Sequence, residues 1–134
     1  MDAIVTAGLT KHYGHREPPI HRLGHPPAGT VRALEDLSIT VEEGEIFGFL
    51  GPNGAGKSTT IRLLLGYLHP TSGSASVLGL DAVRDTVAIR RRVGYLPGCI
   101  ALYDSLSGER LLDYLGELTG RPSVRRQELV DRLE

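Results

Sequence analysis

Nine consecutive residues constrain this chain more than any others: Gly51-Pro52-Asn53-Gly54-Ala55-Gly56-Lys57-Ser58-Thr59. They fit the pattern G-x-x-x-x-G-K-[ST], and their flanks suit it. The apolar run Ile46-Phe47-Gly48-Phe49-Leu50 precedes them and reads as a buried parallel strand. Ile61, Leu64, Leu65 and Leu68 follow at helical spacing. Strand, glycine-rich turn and helix in that order predict a phosphate-binding loop. Gly51, Gly54 and Gly56 permit backbone conformations closed to residues with a Cβ and allow close approach to an anion. Successive N–H groups and the positive end of the helix then attract phosphate. Lys57 is placed to reach the β- and γ-phosphates and Ser58 to hold Mg²⁺. The expectation is a nucleoside triphosphate site.

The chain has 134 residues, enough for one small domain with a core. Its formal net charge of −1 supplies no electrostatic case for nucleic acid or an anionic membrane. Lys11 and Lys57 are the only lysines, so the phosphate-loop lysine has few substitutes. Cys99 stands alone, which excludes a disulfide framework and suits a reducing compartment. The N-terminus lacks the basic region of a signal peptide, and no apolar run has the length of a membrane span. Any membrane association is therefore expected through a partner.

Read in order, Ala3 to Leu9 is β-prone and Thr10 to Gly14 reads as a strand end and turn. From His15 to Thr30, prolines and glycines punctuate a stretch with few apolar residues, which predicts an exposed insertion loop over 15–30. The loop carries His15, His21 and His25, just after His12. A solvated loop is the preferred reading, and a metal site is the alternative, although the spacing matches no common zinc pattern. Leu37 to Val41 alternates as a half-buried strand should, Ser74 to Leu78 reads as a short strand, and Val93 to Leu96 reads as a strand broken by Pro97-Gly98. Ala82 to Arg92 reads as a helix with Val83 and Val87 inward; Arg90, Arg91 and Arg92 suit its C-terminal dipole. Ser107 is a predicted N-cap for a helix striped by Leu111, Leu112, Leu115 and Leu118, ended by Gly120-Arg121-Pro122. A second helix is expected from Ser123 with Leu129, Val130 and Leu133 on one face.

Four stretches now combine: Leu9 to Gly14, Glu45 to Thr60, Pro70-Thr71-Ser72-Gly73, and Val93-Gly94-Tyr95-Leu96-Pro97. In this order the chain resembles the nucleotide-binding subunit of ATP-binding cassette transporters, over most of residues 1–134 and the first half of that domain. The resemblance implies an α/β fold of the P-loop NTPase type. Its parallel core is incomplete, a small antiparallel β subdomain surrounds Tyr13, and an α-helical subdomain begins near Ser107. It implies ATP and Mg²⁺ as cofactors, Tyr13 stacked on adenine, Val31 flanking the nucleotide, and Gly51 to Thr59 around the phosphates with Lys57 as the catalytic lysine. Implied partners are a transmembrane permease subunit or domain and a second nucleotide-binding domain, not nucleic acid. The implied location is cytoplasmic, on the inner face of the membrane.

Three departures qualify the resemblance. Gly98 stands where the family usually has a Gln after the Gly-Tyr-Leu-Pro run; with Ala101-Leu102-Tyr103 beyond it, the stretch looks like the drug- and lipid-export branches. Leu106-Ser107-Gly108-Glu109 suggests the family signature but lies too close to Tyr95, and reads as a helix start. The signature proper, the acidic strand end and the later His would lie beyond Glu134, so a truncated domain is expected. Two other classes stay open. One is an ATP-binding module without turnover. The other is a soluble P-loop kinase or GTPase, against which Tyr13 and Tyr95-Leu96-Pro97 argue.

Overall fold

The computed structural model describes residues 1–14, 29, 31–98, 105–120 and 126–132. The expected insertion at 15–30 thus lies almost wholly outside the described residues, as does Cys99. The chain divides into two units, Met1–Gly94 and Tyr95–Glu134.

The first unit is organised around β1, Asp2–Tyr13. Ile4, Val5 and Thr6 give its first half the β-branched character that fits a pleated, half-buried surface. One edge of β1 pairs antiparallel with β2 (Val31–Leu37) over Leu9–Tyr13 and with β3 (Thr40–Glu42) over Asp2–Val5. The other pairs antiparallel with β4 (Ser72–Val77), which forms a hairpin with β5 (Leu80–Asp81). The hairpin turns through Leu78 at φ 51° and Gly79 at φ 73°, the two positive values that match the twist of flanking strands. Thr10 to Tyr13 continue the strand rather than leaving it. Their partners are Leu34, Arg32 and Val31 on β2, with a Thr71 hydroxyl accepting from the His12 N–H at 3.0 Å.

The single strand expected over Leu37–Val41 is split between β2 and β3. Thr6, 4 % exposed, explains the break: its hydroxyl donates to the Leu37 carbonyl at 2.9 Å and accepts from the Ile39 N–H at 3.0 Å. A buried hydroxyl is thereby satisfied by backbone groups that would otherwise continue the ladder.

Helix α1 spans Lys57–Leu64 and α2 spans Thr86–Arg92. Leu63 from α1 and Ile89 from α2 join Leu9, Leu34, Ala75, Val77 and Ala82 in one core. Arg90 ties the helices together, its Nη1 donating to the Leu65 carbonyl at 3.5 Å and its guanidinium 5.3 Å from the Tyr67 ring centroid. The expected helix over Ala82–Arg92 begins only at Thr86. Asp81 Oδ1 accepts from the N–H groups of Val83 and Arg84 at 2.8 and 2.9 Å, and Asp85 Oδ2 from Asp81 N–H at 3.0 Å. Those carboxylates hold Ala82–Arg84 in a separate turn. Val83 and Val87 are consequently exposed, and Ile89 is the inward residue.

The buried strand expected at Ile46–Leu50 and the strand expected at Val93–Leu96 do not form. Neither pairs with a strand among the described residues, and Ile46, Leu50 and Leu96 are exposed. A parallel strand draws its stability from ladder neighbours on its edges, and no described strand is hydrogen-bonded to either stretch. The Ile46–Leu50 backbone still places alternate side chains on one side, since the Phe47 and Phe49 rings stack with centroids 6.5 Å apart. The α/β class stands, with all described strand pairing antiparallel.

In the second unit, α3 spans Gly108–Thr119. Ser107 caps it as expected, its hydroxyl accepting from the Arg110 N–H at 3.4 Å, and left-handed Gly120 ends it. Leu106-Ser107-Gly108-Glu109 is thus a helix start. Leu112, Leu115 and Leu118 are exposed, while Leu111 is half-buried. Helix α4 covers Arg126–Asp131, with Gln127 Nε2 donating to Asp131 Oδ1 at 2.9 Å; Ser123, the Leu129 side chain and Leu133 lie outside the described residues.

Candidate functional site

Residues 51–56 connect the exposed Ile46–Leu50 segment to α1. The loop is tightened by Ala55 N–H donating to the Pro52 carbonyl at 3.2 Å. Gly56 then enters the helix at φ 89°, and a Cβ there would stand 2.6 Å from the Ala33 carbonyl oxygen. Glycine is required twice over: by the backbone angle and by the β2 main chain packed against it. The same approach brings Val31–Ala33 alongside the loop.

Helix α1 has no side-chain cap and no acidic residue in its first turn, so its N-terminal N–H groups have no side-chain acceptor among the described residues. The carbonyl of Gly56 accepts both the Thr60 N–H at 2.8 Å and the buried Thr60 hydroxyl at 3.0 Å, which fixes the first turn. Lys57, the first helical residue, folds its ammonium over the loop and donates to the carbonyls of Gly51 and, at 2.8 Å, Pro52.

Beside this loop lies a cleft of about 330 Å³. Asn53, Gly54, Gly56, Lys57, Ser58 and Thr59 form one wall, and Tyr13, Val31, Arg32 and Ala33 the other. Eight of the residues expected at the site are thus brought together: Tyr13, Val31, Asn53, Gly54, Gly56, Lys57, Ser58 and Thr59. Gly51, Pro52 and Ala55 belong to the loop without lining the cleft; Gly51 and Pro52 supply the carbonyls that hold Lys57. Tyr13 and Val31 are direct partners at the end of the β1–β2 ladder, and both are exposed. Lys11 Nζ lies 5.4 Å from the Tyr13 ring centroid and donates to the His69 carbonyl at 2.7 Å, steadying that ring from one side.

The sequence alone does not single out Arg32 and Ala33. Their signal was their place immediately after Val31, on a strand whose contact with the loop only the fold reveals. Arg32 Nη1 lies 3.2 Å from Glu35 Oε1, which also stands 3.4 Å from His12 Nε2. That histidine nitrogen is buried and has no hydrogen-bond partner among the described residues. Among the described residues, the cleft lining includes two cations, Arg32 and Lys57, and no carboxylate. Such a surface attracts a polyanion.

The Ser58 hydroxyl stands at the start of α1 in the cleft wall, so its oxygen chemistry and position suit a hard cation such as Mg²⁺. Among the described residues there is no cluster of three or more His, Cys, Asp or Glu side chains fit to hold a metal; His15, His21 and His25 lie outside them. Gly98 is exposed, and a Cβ there would meet nothing within 4 Å. Among the described residues, no helix is long and apolar enough to cross a membrane.

Comparison with known proteins adds an independent line. The ABC transporter family model matches residues 34–133. The ABC transporter ATP-binding protein NatA of Bacillus subtilis (strain 168) is 39 % identical over 105 residues, which cover 78 % of this chain and 42 % of NatA. The doxorubicin resistance ATP-binding protein DrrA of Mycobacterium tuberculosis (strain CDC 1551 / Oshkosh) is 36 % identical over 133 residues, covering 98 % of this chain and 36 % of DrrA. The chain therefore spans less than half the length of these relatives. A solved ATP-binding subunit of an ABC transporter superposes with a TM-score of 0.66 at 26 % identity, over 94 % of this chain and 46 % of that one. A dimeric ATP-binding cassette bound to ADP and Pi shares the fold, with a TM-score of 0.67 at 19 % identity over 93 % of this chain and 51 % of its own.

Proposed function

The chain belongs to the ABC transporter family, among its ATP-binding subunits, and from that premise we propose that it binds MgATP in the cleft between Tyr13 and the phosphate loop. The observation that carries this reading is the meeting, in one cleft, of an exposed aromatic ring and an uncapped helix start bearing Lys57 and Ser58. The ring of Tyr13 offers a face for adenine, and Val31 flanks the nucleotide. The backbone of Gly51 to Thr59 surrounds the phosphates. The α1 N-terminus and the Lys57 ammonium supply positive charge, the latter by exchanging its loop carbonyls for phosphate oxygens. Ser58 would hold Mg²⁺, whose chemistry when bound is to neutralise charge on the triphosphate.

The wider role we infer is that of the ATP-binding component of an export system, acting with a transmembrane permease and a second nucleotide-binding domain. It would then sit at the inner face of the membrane through that permease. The names of DrrA and of other relatives called probable multidrug ABC transporter ATP-binding proteins support the export direction. ATP turnover in this reading is completed by groups outside these residues, while this chain orients the triphosphate.

Titration calorimetry with MgATP tests the site. A charge-assisted contact of the Lys57 kind is worth about 1.5–3 kcal/mol, so Lys57→Ala should lose roughly tenfold or more in MgATP affinity and little in adenosine affinity. Equal MgATP affinity for wild type and variant would remove the phosphate assignment.

A further inference from the structure

Arg32 plays no part in the reading above, yet it lines the same cleft as Lys57 and Ser58. Its side chain is 71 % exposed, so its position is not enforced by packing. Among the described residues, what holds it is one carboxylate, Glu35 Oε1 at 3.2 Å from Nη1, three residues along the same strand. Exposed ion pairs of this kind are weak and readily exchanged. Glu35 also has a second neighbour, since His12 Nε2 stands 3.4 Å from the same oxygen without a hydrogen-bond partner among the described residues. The carboxylate that Arg32 leaves can thus be received by a ring nitrogen that is already adjacent.

The other cation of the cleft is differently placed, because the Lys57 ammonium is engaged by two carbonyls of its own loop. A triphosphate entering the cleft brings more negative charge than one lysine neutralises. The planar fork of a guanidinium can take two phosphate oxygens at once, which an ammonium cannot. We propose that Arg32 is a second phosphate-contacting cation of the nucleotide cleft, stored on Glu35 and transferred to the triphosphate when it binds. The proposal rests on the reading of this cleft as the nucleotide site, and it adds a contact from the β2 wall to those from the loop.

The test is titration calorimetry of the full chain with MgATP and with adenosine, comparing wild type, Arg32→Gln, Arg32→Lys and Lys57→Ala. Arg32→Gln should weaken MgATP about tenfold and leave adenosine within about twofold, as expected of a lost charge-assisted contact to phosphate. Arg32→Lys, which keeps the charge but loses the two-oxygen fork, should recover only part of the affinity and fall between wild type and Arg32→Gln. Wild-type MgATP affinity in Arg32→Gln, alongside a weakened Lys57→Ala, would overturn the role of Arg32 and leave the nucleotide site standing. Equal losses for MgATP and adenosine would also overturn it, by showing that Arg32 shapes the cleft without touching phosphate. If neither Arg32→Gln nor Lys57→Ala alters MgATP binding, the site reading fails and takes this proposal with it.

Discussion

How firmly the phosphate loop is seated on β2 can be measured by comparing Gly56→Ala with Gly54→Ala. Both glycines have left-handed backbones, φ 89° and φ 87°. Giving either a Cβ in that conformation costs about 1–2 kcal/mol. Their surroundings differ. A Cβ at 54 meets nothing within 4 Å, whereas one at 56 would lie 2.6 Å from the Ala33 carbonyl oxygen and 3.2 Å from Leu34 Cδ1. The Ala33 carbonyl is main chain in a strand paired with β1, and Leu34 is buried, so neither moves without disturbing the ladder and the core. Forcing a carbon into such a contact adds about 1–3 kcal/mol. Gly56→Ala should therefore lose about 1–3 kcal/mol more than Gly54→Ala in urea unfolding, read as a lower midpoint with an unchanged slope. Equal midpoints for the two variants would refute the claim that β2 packs against the loop, and with it the reason that Val31–Ala33 line the cleft.

The remaining expectations concern three other places. Tyr13→Ala should weaken MgATP by about 1–3 kcal/mol, the usual worth of an aromatic platform under a base, and Tyr13→Phe should not; identical affinities in a calorimetric titration of the three proteins would dismiss the stacking role. Because Tyr13 and Val31 are direct cross-strand partners, a short Gly/Ser turn can join the two strands, and replacing 15–30 with one should keep MgATP affinity within about twofold; complete loss of binding would assign those residues a part in the site. The N–H groups of Arg84 and then Val83 hold the Asp81 carboxyl below the usual carboxylate range. A depressed folded pKa gives stability that is complete above the unfolded value, about 3.9, and is lost as pH falls through the folded one. The excess melting temperature of wild type over Asp81→Asn should hence be present near neutrality and shrink below about pH 4; a gap that widens on acidification would contradict the sign.

What could be read from the sequence was what short stretches decide alone. The glycine spacing of 51–56, the Ser107 cap and the Gly120 stop depend on a few neighbouring residues, and each takes the predicted form. Where side chains far along the chain intervene, the reading changes. Thr6 splits the strand expected over Leu37–Val41 from 31 residues away. Local side chains redirect the backbone too: Asp81, just before the helix expected over Ala82–Arg92, and Asp85 within it detach a turn, so that Ile89 rather than Val83 or Val87 faces the core. The apolar runs at Ile46–Leu50 and Val93–Leu96 carry the composition of buried strands, yet burial requires a neighbour that composition cannot provide. Arg32 is not legible in the sequence, because its relevance comes from the contact between β2 and the loop.

The bare segment Ile46–Leu50 leaves the phosphate loop anchored unevenly. On its C-terminal side the loop enters α1 through Gly56, wedged against β2 and followed by buried Thr60 and Leu63. On its N-terminal side, the N–H groups of Ile46 to Leu50 have no acceptor among the described residues. Local opening free energies follow such hydrogen bonding and burial, so amide protons are retained longest where both are dense. The two ends of the loop therefore fall at opposite extremes of protection against solvent exchange. An anion held by the loop would meet a different backing at each end, packed β2 main chain behind Gly56 and unpaired backbone before Gly51.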